Sequence, residues 1–264
     1  MNIKSILFFA VFLIITSVSA QKNASKTSVP AQKNASKTSV SAQNAASTTT
    51  VSAQNAASTA TVFTKKAAPA GWVNIAELDP TVKQEIRYAT DNNFTKSQLY
   101  DCPACYFRTV VGNAIVKVHK DLQAQGYGGL KMFDCYRPAP YQLRLWKKVP
   151  DARFVTPPQK GSMHSRGGAA DLTVVDKNGN ELDMGTPFDS FSPKSYQTCT
   201  DLPKNVLENR TLLRETMEKY GFRAIRTEWW HFAYIPTQFG VADWLWCEKT
   251  TDIATEKKGK KRKF

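Results

Sequence analysis

The 264-residue chain has three histidines, and two of them stand among polar side chains that could share one piece of chemistry. The first cluster runs Ser162-Met163-His164-Ser165-Arg166-Gly167-Gly168-Ala169-Ala170-Asp171, with an imidazole and a carboxylate on either side of a Gly-Gly pair. The second is Glu228-Trp229-Trp230-His231-Phe232. Two imidazoles, one aspartate and one glutamate are the inventory of a catalytic zinc site. Three side chains hold the metal and a carboxylate beside it handles a proton. Taken singly, each cluster is equally well explained by a packed histidine and a capping aspartate. Taken together they hold two of the three histidines, which favours a shared site. A two-His, one-Asp set could also accept other divalent ions.

Spacing separates the roles of the two carboxylates. Glu228 and His231 are three apart, so a regular strand would point them to opposite faces. Both reach one site only if Glu228 lies in a bend before the strand or at a bulge. That offset suits a base beside the metal better than a ligand, which leaves Asp171 as the third ligand. Gly167 and Gly168 let the chain fold back so that His164 and Asp171 converge.

The elements that must position these residues are visible as periodicities. Val111, Ile115, Val118 and Leu122 fall at i, i+4, i+7 and i+11, and Gly126 closes that helix. Val206, Leu213, Met217 and Tyr220 make a second stripe closed by Gly221, and a shorter helix follows Arg137-Pro138 through Trp146. Strand-like runs lie at 130–133, 170–175 and 229–235. They do not alternate with helices as βαβ units. The pattern therefore predicts an α+β single domain with a mostly antiparallel sheet flanked by helices. His119, on the flank of the first stripe, reads as a surface or packed histidine. Trp72, Trp229 and Trp230 read as core or pocket wall.

At 42% hydrophobic and 22% charged residues, the chain is not wholly disordered, collagen-like or a multi-span membrane protein. Its net charge of +14 sits in the ends. Residues 1–66 carry seven lysines and no acid, and residues 255–264 carry a net +5, leaving +2 for residues 67–254. A near-neutral central region argues against a nucleic-acid footprint in the domain. Residues 1–20, with Lys4, the apolar run Ile6–Ile15 and Val18-Ser19-Ala20, read as a signal peptide, which implies a secreted or periplasmic protein. Beyond it no run approaches the ~20 apolar residues of a membrane span. Residues 21–66 open with 11-residue repeats (QKNASKTSVPA, QKNASKTSVSA, QNAASTTTVSA) too poor in apolar surface to form a core, so they read as a solvated stalk. Residues 255–264 read as a solvated basic tail.

Cys102, Cys105, Cys135, Cys199 and Cys247 make an odd count, so in a secreted chain at least one thiol is left over or pairs between chains. Cys102-Pro-Ala-Cys105 follows a loop-like stretch and not a strand, so disulfides that stiffen a loop explain it better than redox catalysis. The spacing leaves the pairing open.

The motif SxHxxGxAxD followed downstream by ExWH resembles the zinc D-Ala-D-Ala peptidases, the group that shares its metal site with the hedgehog signalling domain. Arg87-Tyr88-Ala89-Thr90, Asn93-Phe94-Thr95, Asp134-Cys135-Tyr136-Arg137-Pro138 and Met184-Gly185-Thr186-Pro187-Phe188-Asp189 narrow the likeness to D-alanyl-D-alanine dipeptidases of the VanX type, over about residues 72–247. The resemblance implies a hedgehog-like α+β fold. It implies one Zn2+ held by His164, Asp171 and His231, with Glu228 as catalytic base and Arg137 stabilising the oxyanion. It places the dipeptide-holding residues on Tyr88, Ser162 and Asp189, and makes D-Ala-D-Ala or a related peptidoglycan-derived peptide the substrate. The family commonly has aspartate where Asn92 stands and glycine where Cys135 stands. Two other activities fit the same residues: a muropeptide carboxypeptidase or endopeptidase of the same metal group, and a zinc-stabilised wall-binding module without catalysis. A structural zinc site would need neither Glu228 nor Arg137, which speaks for an enzyme.

Overall fold

The computed structural model describes residues 62–236 and 238–250. The expected signal peptide (1–20), residues 21–61 of the stalk and the tail 255–264 lie outside the described residues. The chain runs through β1 (Val62–Lys65), β2 (Trp72–Asn74), α1 (Ile75–Leu78), β3 (Lys83–Gln84), β4 (Tyr106–Arg108), α2 (Thr109–Ala124) and β5 (Gly129–Asp134). It continues through α3 (Ala139–Lys148), β6 (Ala169–Val175), α4 (Lys204–Lys219), β7 (Phe222–Ile225), β8 (Glu228–Tyr234) and β9 (Cys247–Thr250). One five-stranded sheet has the order β3-β5-β6-β8-β7 and is parallel only between β3 and β5. The fold is therefore α+β with a mostly antiparallel sheet, as the sequence pattern predicts. β1 pairs with β9 and β2 with β4 in two small antiparallel ribbons.

Helix α2 buries Val111, Ile115, Val118 and Leu122 completely and packs on β5. Helix α4 buries Val206, Leu213 and Met217 and packs on β6 and β7. Helix α3 starts directly after Pro138, whose fixed φ and missing N–H suit a helix entry. Strand β6 lies at the centre of the sheet and is buried along its whole length. Its apolar residues are at home there, but Asp171 is not, because a buried carboxylate needs partners.

Sheet register supplies one such partner, His231, and fixes the carboxylate's neighbours. Asp171 lies directly opposite Asp134 on β5, past a bulge between Met132 and Asp134, and directly opposite His231 on β8. Three polar side chains thus stand in a row across three adjacent strands. A second bulge interrupts the β7–β8 pairing, where Ala224 faces Phe232 but Ile225 faces Glu228. The local kink re-aims Glu228 toward the side that His231 serves.

The cysteines depart from a simple CxxC. Cys102 pairs with Cys247 and Cys105 with Cys135, so each half of the motif is tied to a distant segment, and Cys199 is the free thiol. His119 is fully buried rather than at the surface. Its Nδ1 accepts from the Leu130 N–H (3.0 Å), so its Nε2–H donates to Thr81 Oγ1 (2.9 Å), which in turn donates to Asp79 Oδ1 (2.5 Å).

Candidate active site

His164 opens a short turn, His164–Arg166, that closes on Gly167 at φ 69°. A side chain there would be strained by the positive φ, and a Cβ would lie 2.4 Å from the Trp72 ring. This turn delivers His164 to the Asp134–Asp171–His231 row. His164 Nε2 lies 3.1 Å from His231 Nδ1 and 3.3 Å from Asp171 Oδ1, and His231 Nδ1 lies 2.9 Å from that oxygen. His164 Nδ1–H donates to the Cys135 carbonyl at 2.7 Å, which leaves Nε2 with a lone pair directed at the other two atoms.

Three lone-pair donors facing one another call for a cation. Tetrahedral zinc with bonds of about 2.0–2.2 Å needs ligand atoms roughly 3.3 Å apart, close to the three separations present. The ligand chemistry, two imidazole nitrogens and one carboxylate oxygen, fits the same ion. Burial alone would pull the His164 pKa down, but Asp171 and Asp134 outweigh it and raise it. Asp171 is driven the opposite way, well below the carboxylate range: burial pushes it up, and His164 and His231 more than reverse that.

A pocket of about 270 Å³ opens beside the cluster, and His164, Asp171, His231, Glu228, Arg137, Tyr88, Ser162 and Asp189 all line it. Burial is the main cause that raises the Glu228 pKa, with Asp171 adding to it against His231, His164 and Arg137. Arg137 is buried, donating from Nε (3.1 Å) and Nη2 (2.6 Å) to Asp134 Oδ2, from Nε to Tyr100 Oη (3.2 Å) and from Nη1 to Gln142 Oε1 (3.1 Å). These contacts use one N–H on each guanidinium nitrogen, so Nη1 and Nη2 each keep another for the pocket. Burial works against its charge, but Asp134, together with Tyr100, Tyr88 and Asp171, more than reverses that and holds the guanidinium firmly protonated.

Tyr88, whose ring centroid lies 5.1 Å from the Arg137 guanidinium carbon, donates from Oη to Asp189 (3.1 Å to Oδ2). Asp189 has φ 61°, an unusual conformation for a residue with a side chain, and such strain collects at functional sites. Burial, and then Asp171, raise its pKa well above the carboxylate range. Ser162 Oγ accepts the Ser165 N–H (3.1 Å), so this hydroxyl also caps the His164 turn. Phe94, Phe154 and Phe191 complete the pocket from three loops, with ring centroids 4.9 Å apart for Phe94–Phe191 and 4.7 Å for Phe154–Phe191. Phe154 and Phe191 are 40% and 37% exposed, which puts them on the rim. Trp230 is buried and forms pocket wall, while Trp72 and Trp229 are core.

Arg166 faces neither substrate space nor an acid: it donates to the carbonyls of Phe239 (2.9 Å) and Lys160 (3.3 Å). Asn92 is exposed and donates to Glu85 (3.2 Å), outside the pocket lining. The sequence reading gave no role to Asp134, Tyr100 or Gln142. The i, i+3 spacing of Asp134 and Arg137 was the available signal for the first.

The family model described as D-ala-D-ala dipeptidase matches residues 68–248. The chain belongs to this family of peptidases. Relatives include the D-alanyl-D-alanine dipeptidase of Escherichia coli K12, 36% identical over 162 residues, spanning 61% of this chain and 82% of that protein. The protein of the same name from Enterococcus faecium is 30% identical over 183 residues, 61% of this chain and 90% of the relative. That from Enterococcus faecalis is 31% identical over 189 residues, 62% and 92%. The chain is accordingly a peptidase, with the His164, Asp171 and His231 side chains able to hold a metal.

Proposed function

We infer that this peptidase is a zinc-dependent D-alanyl-D-alanine dipeptidase of the cell envelope. The observation that carries the reading is the convergence of His164 Nε2, His231 Nδ1 and Asp171 Oδ1 in a pocket shared with Glu228 and Arg137. When bound, zinc supplies a Lewis acid that polarises the scissile carbonyl and lowers the pKa of a water toward neutrality. Glu228 takes a proton from the attacking water and returns it to the departing amine, and its raised pKa brings it closer to working pH. Arg137 presents its remaining N–H groups to the negative charge that develops on the carbonyl oxygen. Asp189, steadied by Tyr88, receives the substrate's ammonium, and Ser162 helps hold the far carboxylate.

The size of the pocket supports a small substrate. At about 270 Å³ it lies at or below the ~300–1,000 Å³ of sites for drug-sized ligands, and aromatic rings rim it. A longer peptide would leave one buried charge unpaired. Export is supported by the leader-like residues 1–20 and by two disulfides, which persist in oxidising compartments.

The test is a substrate panel for the zinc-loaded enzyme: D-Ala-D-Ala, L-Ala-L-Ala and a muropeptide ending in D-Ala-D-Ala. Release of D-alanine from the free D-dipeptide alone is the expected result. Cleavage of the muropeptide but not the dipeptide would move the chain to a carboxypeptidase role. Zinc uptake with no cleavage of any of the three would leave a binding module.

A further inference from the structure

We propose that the Cys105–Cys135 disulfide is a positioning element of the metal centre, and not only a staple of the fold. The proposal rests on the zinc reading above. A histidine that binds metal through Nε2 must carry its proton on Nδ1, and the acceptor of that proton sets both the tautomer and the ring orientation. For His164 that acceptor is the main-chain carbonyl of Cys135, at 2.7 Å. The fit of His164 therefore depends on how firmly one carbonyl is held.

That carbonyl sits where the sheet has stopped holding the chain. Strand β5 ends at Asp134 and helix α3 begins at Ala139, so residues 135–138 lie between elements. The same short segment carries the Arg137 guanidinium. The Cys135 N–H turns back onto Asp134 Oδ1 (2.9 Å), the carboxylate that grips Arg137. Two ties bind the segment to the start of β4: the Tyr136 N–H donates to the Tyr106 carbonyl (3.0 Å), and the disulfide joins Cys135 to Cys105 next door. Both sulfur-bearing residues are buried. Strand β4 in turn reaches the His164 turn, since the Arg108 N–H donates to the Gly167 carbonyl at 3.1 Å. Cys105, Cys135 and His164 thus close a circuit around the metal ligand. The Cys102–Cys247 disulfide closes no such circuit; it fastens β9 to the loop before β4, beside the Trp246 indole that donates to the Cys102 carbonyl (3.0 Å).

The two disulfides therefore separate under test. Mutating the outer-shell partner of a metal-binding histidine typically costs about 10–100-fold in metal affinity or activity, which bounds what misplacing this carbonyl can do. We expect the double variant Cys105→Ala/Cys135→Ala to bind zinc about 10–100-fold more weakly in chelator competition, with kcat reduced and a cooperative melt still above assay temperature. Cys102→Ala/Cys247→Ala opens the longer loop, with a sequence separation of 145 against 30. It should lose more thermal stability while its zinc affinity stays at the wild-type value. Zinc affinity unchanged in Cys105→Ala/Cys135→Ala, with only the melting temperature lowered, overturns the proposal.

If that variant does not fold, the Cys102→Ala/Cys247→Ala protein is loaded with zinc and treated with a phosphine. The remaining disulfide becomes two thiols as the phosphine takes up oxygen from water. Faster zinc transfer to the chelator supports the proposal; an unchanged rate in protein whose new thiols titrate overturns it. Wild-type protein that takes up no zinc overturns the metal reading and this proposal together, whereas equal binding by wild type and variant overturns this proposal alone.

Discussion

His119 and the His164–His231 pair are both buried in the same domain, yet they solve burial in opposite ways. Each ring nitrogen of His119 has its own complementary partner, the Leu130 N–H on one side and Thr81 on the other. Nothing is left over, and burial drives its pKa down so that the ring stays neutral. In the pair, one nitrogen of His164 is satisfied by a carbonyl, while its other nitrogen, His231 Nδ1 and Asp171 Oδ1 face one another as acceptors. Carboxylates there raise the His164 pKa instead of letting burial lower it. A histidine in a finished hydrogen-bond set is a packing residue. Histidines whose lone pairs converge on a carboxylate invite a cation.

Exchanging the two regions' roles by mutation gives the largest effects. His231→Ala should abolish zinc uptake and D-alanine release together, read by metal analysis and a turnover assay. Next comes Glu228→Gln, which keeps the ligands and should retain zinc while losing about 10²–10⁴-fold in kcat. Arg137→Ala removes a pocket donor and should cost about 10²–10³-fold in kcat, also with zinc retained. His119→Ala inverts the pattern. It strands the buried Leu130 N–H and opens a void, so it should cost about 2–4 kcal/mol in denaturant unfolding while zinc affinity is unchanged.

The finest distinction is one of pH sign. Because the folded His119 pKa lies below the ordinary 6.5, the unfolded chain binds its proton first. Its stabilising contribution is therefore complete above pH 6.5 and fades as pH falls from there toward the folded value. The slope is at most about 1.4 kcal/mol per pH unit for one proton. His164 in the metal-free protein has the reverse sign: its contribution is present below pH 6.5 and is lost as pH rises through its raised value. Unfolding titrations of metal-free His119→Ala against wild type should isolate the first slope. A slope unchanged by the substitution would remove His119 as its source.

Much of this contrast was legible in the sequence, and the illegible part has one cause. The Gly167-Gly168 pair announced a reversal between His164 and Asp171, and the three-residue offset of Glu228 from His231 called for a bend before the strand or a bulge, of which the β7–β8 pairing has the bulge. Helices α2 and α4 followed their apolar stripes. Asp134 had only its i, i+3 spacing from Arg137 to mark it, and Tyr100 and Gln142 were not legible, because their link to Arg137 exists only once the loop carrying Tyr100 and helix α3 are packed beside it. The same holds for the cysteines. Cys102 and Cys105 are neighbours in sequence, but their partners lie 145 and 30 residues away, and local spacing carries no trace of that. His119 was legible as a packed or surface histidine but its partners were not, since they come from a loop and from the start of β5.

The central claim, that three converging ligands make this domain a zinc dipeptidase, is tested most directly by stripping and restoring the metal. The chain would be exhaustively chelated, assayed for D-alanine release from D-Ala-D-Ala, and titrated back with zinc. The account predicts loss of turnover on chelation and full recovery at one zinc per chain. Turnover that survives complete removal of metal would contradict it.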